Sequence, residues 1–132
     1  MTPIFVDTSA ILAFLVANDA AHRRASRAFA NLRRDRARLL TTSYVLVETY
    51  ALLGRRLGAE WVRRFRESWE PLLEVVWVER RRHDAALDLL VEKGATFSLV
   101  DACSLMVMRE HGLRRAFAFD AHFVAAGFEL VE

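Results

Sequence analysis

Apolar and polar positions fall along this chain in two kinds of block. Apolar runs too short for a helix, at 4–6, 38–41, 74–78, 116–119 and 128–131, read as buried β-strands, with Pro3 tolerable at the entry to the first. Longer stretches between them repeat apolar residues every three or four positions. The clearest is 20–33, where Ala21, Ala25, Ala28, Phe29 and Leu32 share one face and arginines the other. The same period predicts helices at 8–16, 43–57, 59–69, 81–93, 98–111 and 121–126. Local punctuation agrees. Asn18 and Asp19 stand as caps before the second helix, Ser43 caps the third, Gly58, Gly94 and Gly112 follow helix ends, and Pro71 stops the helix begun at Ala59. Short strands alternating with helices predict an α/β fold, a three-layer α/β/α sandwich around a mostly parallel sheet of about five strands.

Composition narrows the class without naming a function. With 132 residues, 54% of them hydrophobic, and no repeat, low-complexity tract or linker, residues 1–132 are expected to form one domain with a genuine core. The N-terminus carries no basic region ahead of an apolar segment, and no run reaches the roughly 18 to 20 apolar residues that span a bilayer. A cytoplasmic location and no membrane partner are expected. Cys103 is single, lacks a disulfide or zinc partner, and reads as a small core residue. Net charge is only +2, yet arginines cluster at 23, 24 and 27, at 33, 34, 36 and 38, at 63, 64 and 66, and at 80 to 82. Such runs are usually solvated helix faces, and the fit of guanidinium to phosphate makes them compatible with a nucleic-acid partner.

Four carboxylates change the picture, because each directly follows an apolar run. They are Asp7 in "IFVDTSA", Glu48 in "SYVLVETYALL", Asp101 in "SLVDACSLMVM" and Asp120 in "AFAFDAHF". Asp7 and Asp120 sit at the carboxyl ends of the first and fourth strands, where open α/β sheets bind ligands. Each aspartate has an ordinary reading as a helix cap: Asp7 before Thr8, Asp120 before Ala121, and Asp101 in an S-x-x-D capping box with Ser98. Glu48 lies mid-helix among Val45, Leu46, Val47, Leu52 and Leu53, and has no such reading. Brought together, four carboxylates repel one another and raise one another's pKa unless a cation is shared. An all-oxygen set without zinc-spaced His or Cys selects Mg²⁺ or Mn²⁺.

With these residues in hand, the chain resembles PIN-domain proteins, and among them the VapC-type toxin ribonucleases of bacterial and archaeal toxin–antitoxin pairs. The likeness runs nearly full length and rests on "FVDTSA", "TTSYVLVETYALL", "SLVDACSLMVM" and "AFAFDAHF" in this order. It implies a PIN-like fold and a Mg²⁺- or Mn²⁺-dependent endoribonuclease that hydrolyses RNA phosphodiesters. It also implies a homodimer or higher homo-oligomer, and a cognate antitoxin protein that inserts a segment into the acidic groove. On this resemblance Asp7 and Asp101 are the central metal ligands, and Glu48 and Asp120 are direct or water-mediated ligands that orient the attacking water. Ser98 becomes a hydrogen-bond donor behind them.

Other residues are assigned more modest parts. Paired histidines can cleave RNA without metal, but His122 is read as a packing or helix-start residue, and His22, His83 and His111 as partly exposed positions. Trp61, Trp69 and Trp77 sit beside apolar neighbours and are read as core or dimer contacts rather than base-stacking platforms. The rival readings are a housekeeping PIN nuclease without an antitoxin and a non-catalytic RNA-binding or scaffold module. A phosphoacceptor domain fits poorly: it wants an adjacent acidic pair and a lysine, and Lys93 precedes the helix-ending Gly94.

Overall fold

The computed structural model describes residues 2–132. Among them, five parallel strands form one sheet in the order β3-β2-β1-β4-β5. The strands are β1 (Ile4–Val6), β2 (Leu39–Thr42), β3 (Leu73–Val76), β4 (Arg115–Phe117) and β5 (Glu129–Leu130). The helices are α1 (Thr8–Leu15), α2 (His22–Arg34), α3 (Ser43–Arg56), α4 (Ala59–Arg64), α5 (Arg80–Glu92), α6 (Leu99–Glu110) and α7 (Ala121–Ala125). The central β1 is buried at all three positions, as a strand covered on both faces must be. The chain runs from β1 through β2 to β3, then crosses back to β4 and β5, a reversal that lies between β1 and β4. The reversal leaves a crevice beyond the carboxyl ends of β1 and β4, the place where such sheets accept ligands.

Polar hydroxyls in the core tie that crevice together. Thr41 is fully buried and donates its hydroxyl to the Val6 carbonyl at 2.7 Å, pinning β2 to the end of β1. Thr42, one residue before the expected Ser43, caps α3 by accepting from Val45 N–H, while Ser43 Oγ accepts from Val78 N–H. Thr8 donates to the Val45 carbonyl at 3.3 Å, and its hydroxyl lies 3.0 Å from that of Thr49, which joins the start of α1 to the first turns of α3. Buried hydroxyls need partners, and these find one another across 37 to 41 residues of chain.

β3 and β4 end two residues earlier than their apolar pattern suggests, for one reason. β3 stops at Val76 rather than 78, where the Val78 N–H donates to Ser43 Oγ at 2.9 Å. β4 stops at Phe117 rather than 119, where the Phe119 N–H donates to Ser9 Oγ at 2.9 Å. A side-chain acceptor has replaced the ladder in both places. The helix expected over 59–69 is α4 followed by a π turn (Phe65–Trp69) and a 3₁₀ turn at Pro71. Widening the turn accommodates the buried Phe65 and Trp69 together, and Trp69 stacks on Phe29 with centroids 4.6 Å apart. Trp77 departs from the core reading: it is 69% exposed. Cys103 is fully buried, and burial pushes its thiol up to about 11. No helix among the described residues is long and apolar enough to cross a membrane.

Candidate metal centre

Asp7 follows β1 directly and caps α1. Its Oδ2 accepts from Ser9 N–H at 3.1 Å and from Ser9 Oγ–H at 2.6 Å. Ser9 Oγ in turn accepts from Phe119 N–H, so one serine fastens Asp7 to the segment that leads into Asp120. Asp7 is only 2% exposed. Burial raises its pKa to about 6, the Ser9 hydrogen bonds oppose that, and the charges of Asp120 and Asp101 add to the rise. The capping role is therefore real, and it does not relieve the charge.

Asp101 enters from the first turn of α6 in a full capping box. Its N–H donates to Ser98 Oγ at 3.0 Å, and its Oδ2 accepts from Ser98 N–H at 3.1 Å. The box holds one carboxylate oxygen and turns Oδ1 toward His122, whose Nε2 lies 3.1 Å away in ion-pair range, off hydrogen-bond alignment. Burial would raise Asp101, but the His122 imidazole and the Ser98 N–H outweigh it and the pKa is lowered. Burial would likewise lower His122, and Asp101 outweighs it in the opposite sense. Asp120 stands at the cap position of α7 without making a side-chain cap hydrogen bond, so its carboxylate is not occupied by the helix it precedes. Ligand atoms of Asp101, Asp120 and His122 all lie within 4.8 Å of one another.

Glu48 projects from the middle of α3, half-buried. Desolvation raises its pKa, the nearby Thr8 hydroxyl pulls the other way, and the charges of Asp101 and Asp120 raise it further. Asp7 and Glu48 thus stand outside the tight group but within its electric field. This weighting differs from the expected pairing of Asp7 with Asp101 as central ligands, because the ligand atoms within 4.8 Å of one another come from Asp101, Asp120 and His122. His122 does start α7 and packs on Phe123, with ring centroids 4.4 Å apart, yet it also reaches Asp101. Thr8, Ser9 and Thr49 were not singled out from the sequence. The hydroxyls following Asp7 in "DTS" were the available signal.

The donor set suits a divalent cation. Two carboxylates and an imidazole nitrogen converge, and a nearly unexposed third carboxylate is fastened only by a neutral serine. The arginine runs mostly serve the surface. Arg34, Arg38, Arg63, Arg64, Arg80 and Arg82 are each ion-paired to an acid.

Residues 4–129, which span the five-stranded parallel sheet and every acid of this crevice, match the PIN-domain family. The chain belongs to the PIN-domain family. The 23S rRNA-specific endonuclease VapC20 of Mycobacterium tuberculosis is 37% identical to it over 136 positions, covering 95% of each protein. The crystal structure of that organism's VapC20, described as a sarcin-ricin loop cleaving toxin, is similar with a TM-score of 0.79 over 95% of both chains, at 38% identity. FitAcB from Neisseria gonorrhoeae shares the fold at a TM-score of 0.71 and 15% identity, over 98% of this chain and 96% of that one.

Proposed function

We propose that this protein is a divalent-metal-dependent endoribonuclease and the toxin of a type II toxin–antitoxin pair. The observation that carries the reading is the convergence of Asp101, Asp120 and His122 beside the buried, cation-hungry Asp7, in a chain sharing more than a third of its residues with a named rRNA endonuclease. Asp101 and Asp120 hold Mg²⁺ or Mn²⁺ directly, Asp7 completes the site from the end of β1, and Glu48 faces it from α3. When bound, the ion supplies positive charge against the scissile phosphate and acidifies a water. Asp7 is fixed by Ser9 and Asp101 by its capping box, so neither reorganises when RNA arrives, which is the condition for electrostatic catalysis. Ser98 acts through Asp101, and Glu48 is placed to orient the attacking water. A small antitoxin protein is the expected restraint, and self-association the expected assembly.

RNA containing 23S rRNA is the first substrate to try, since that is the target in the relative's name. Cleavage should require Mn²⁺ or Mg²⁺, stop in excess EDTA, and fall away in Asp101→Asn. Cleavage that persists in EDTA, or that survives Asp7→Asn combined with Asp101→Asn, would contradict the reading.

A further inference from the structure

Beside His122 lies a cavity of about 550 Å³ between α5, α6 and α7, which the nuclease reading does not by itself use. The same imidazole that approaches Asp101 forms part of its wall, and Ala121, next in the chain after Asp120, forms another part. Leu89, Leu105, Phe97 and Ala126 make its floor apolar, and the Phe97 ring lies 6.2 Å from that of His122. Lys93 and Arg109 stand at the exposed rim. Neither forms an ion pair among the described residues, whereas Arg34, Arg38, Arg63, Arg64, Arg80 and Arg82 do. No acid lines the cavity, although its wall residue His122 belongs to the group with Asp101 and Asp120.

We propose that this cavity takes one unpaired nucleobase of the RNA, flanking the phosphate held at the acid cluster, with Lys93 and Arg109 gripping the next phosphate. The inference rests on the nuclease reading and adds to it a residue set that selects what is cut. An apolar, aromatic floor under a cationic rim is complementary to a base joined to a phosphate, and the volume falls within the usual range for small-ligand sites of about 300 to 1,000 Å³. Proteins that read RNA sequence do so on bases splayed out of the helix, stacked on aromatic rings and Arg planes. Ala95, at φ 55°, and Gly94, at φ 67°, turn the chain after α5 so that Thr96 and Phe97 close the cavity, with Thr96 Oγ–H donating to the Lys93 carbonyl at 3.0 Å.

The test is fluorescence anisotropy of a labelled single-stranded RNA octamer in Ca²⁺, with sister octamers abasic at each position in turn. Phe97→Ala should weaken the intact octamer about tenfold to hundredfold, and should change affinity less than threefold for the one octamer lacking the seated base. Phe97→Trp should restore binding. Lys93→Gln and Arg109→Gln should each flatten the salt dependence by about 0.7 in slope, while Arg34→Gln, already paired with Asp35, should not. Variants that bind every octamer within threefold of wild type, while wild type cleaves RNA, overturn the pocket and leave the nuclease standing. So does a change confined to sedimentation, which would make the cavity a protein contact. A wild type that neither binds nor cuts RNA overturns both.

Discussion

Carboxylates occupy two opposite environments in this protein. On the surface, Glu74 faces Arg38 with an N···O distance of 2.7 Å, and Glu60 is shared by Arg63 and Arg64. Those guanidinium hydrogen bonds hold both acids below the usual carboxylate range. In the crevice beyond β1 and β4, burial pushes Asp7 up to about 6 and raises Glu48, and their acidic neighbours push the same way. Glu74 and Glu60 each face a guanidinium, whereas Asp7 and Glu48 face other acids. Eighteen arginines are available in the chain, yet the crevice draws on none of them for Asp7 or Glu48. Carboxylates whose pKa is raised by burial and by acidic neighbours cluster at functional sites in general.

The comparison breaks most visibly in catalysis. Asp101→Asn should lower RNA cleavage by about a hundredfold or more, the loss expected when a group that stabilises transition-state charge is removed, with circular dichroism unchanged. Full activity in that variant would reduce Asp101 to a cap. Next is the stability of the metal-free protein. The folded value for Asp7 of about 6 exceeds the reference 3.8, so the native state binds more protons between those limits and its stability falls as pH rises through them. Two units correspond to roughly 3 kcal/mol. Asp7→Asn keeps an acceptor for Ser9 N–H and should therefore raise stability by up to that amount at pH 7, and by little at pH 4, in urea melts. An equal effect at both values would place the cause in packing rather than charge. Mn²⁺ at a hundred times its Kd should stabilise the wild type by about 2.7 kcal/mol, and the gain should vanish in Asp101→Asn. Smallest of all, Glu74→Gln should leave the urea midpoint unchanged in 0.5 M salt, because exposed pairs are screened. Its pH dependence runs the other way: a lowered pKa contributes stability above about 4.5 that is lost as pH falls.

Much of this was readable from residue order. The period of Ala25, Ala28, Phe29 and Leu32 places α2, and Gly112 at φ 65° ends α6 where the apolar spacing stops. Asp7, Glu48, Asp101 and Asp120 stood out because each broke an apolar pattern, a local signal. The parts that were not legible depend on partners remote in the chain. Val78 leaves the sheet for Ser43, Phe119 for Ser9, and His122 turns to Asp101; those pairs are separated by 35, 110 and 21 positions. Trp77 reads as apolar in its run, but it lies past the last paired residue of β3 and faces outward. The π turn under Trp69 answers to aromatic rings on α1 and α2, which no local period can announce.

If Asp7, Glu48, Asp101 and Asp120 share a divalent ion, the anomalous scattering of Mn²⁺ in crystals of this protein will locate it. A peak is expected within about 2.0 to 2.4 Å of carboxylate oxygens from Asp101 and Asp120, with Asp7 and Glu48 in contact directly or through one water. Saturating Mn²⁺ that leaves this crevice without a peak, or that places the ion where none of these four side chains reaches it, would contradict the account.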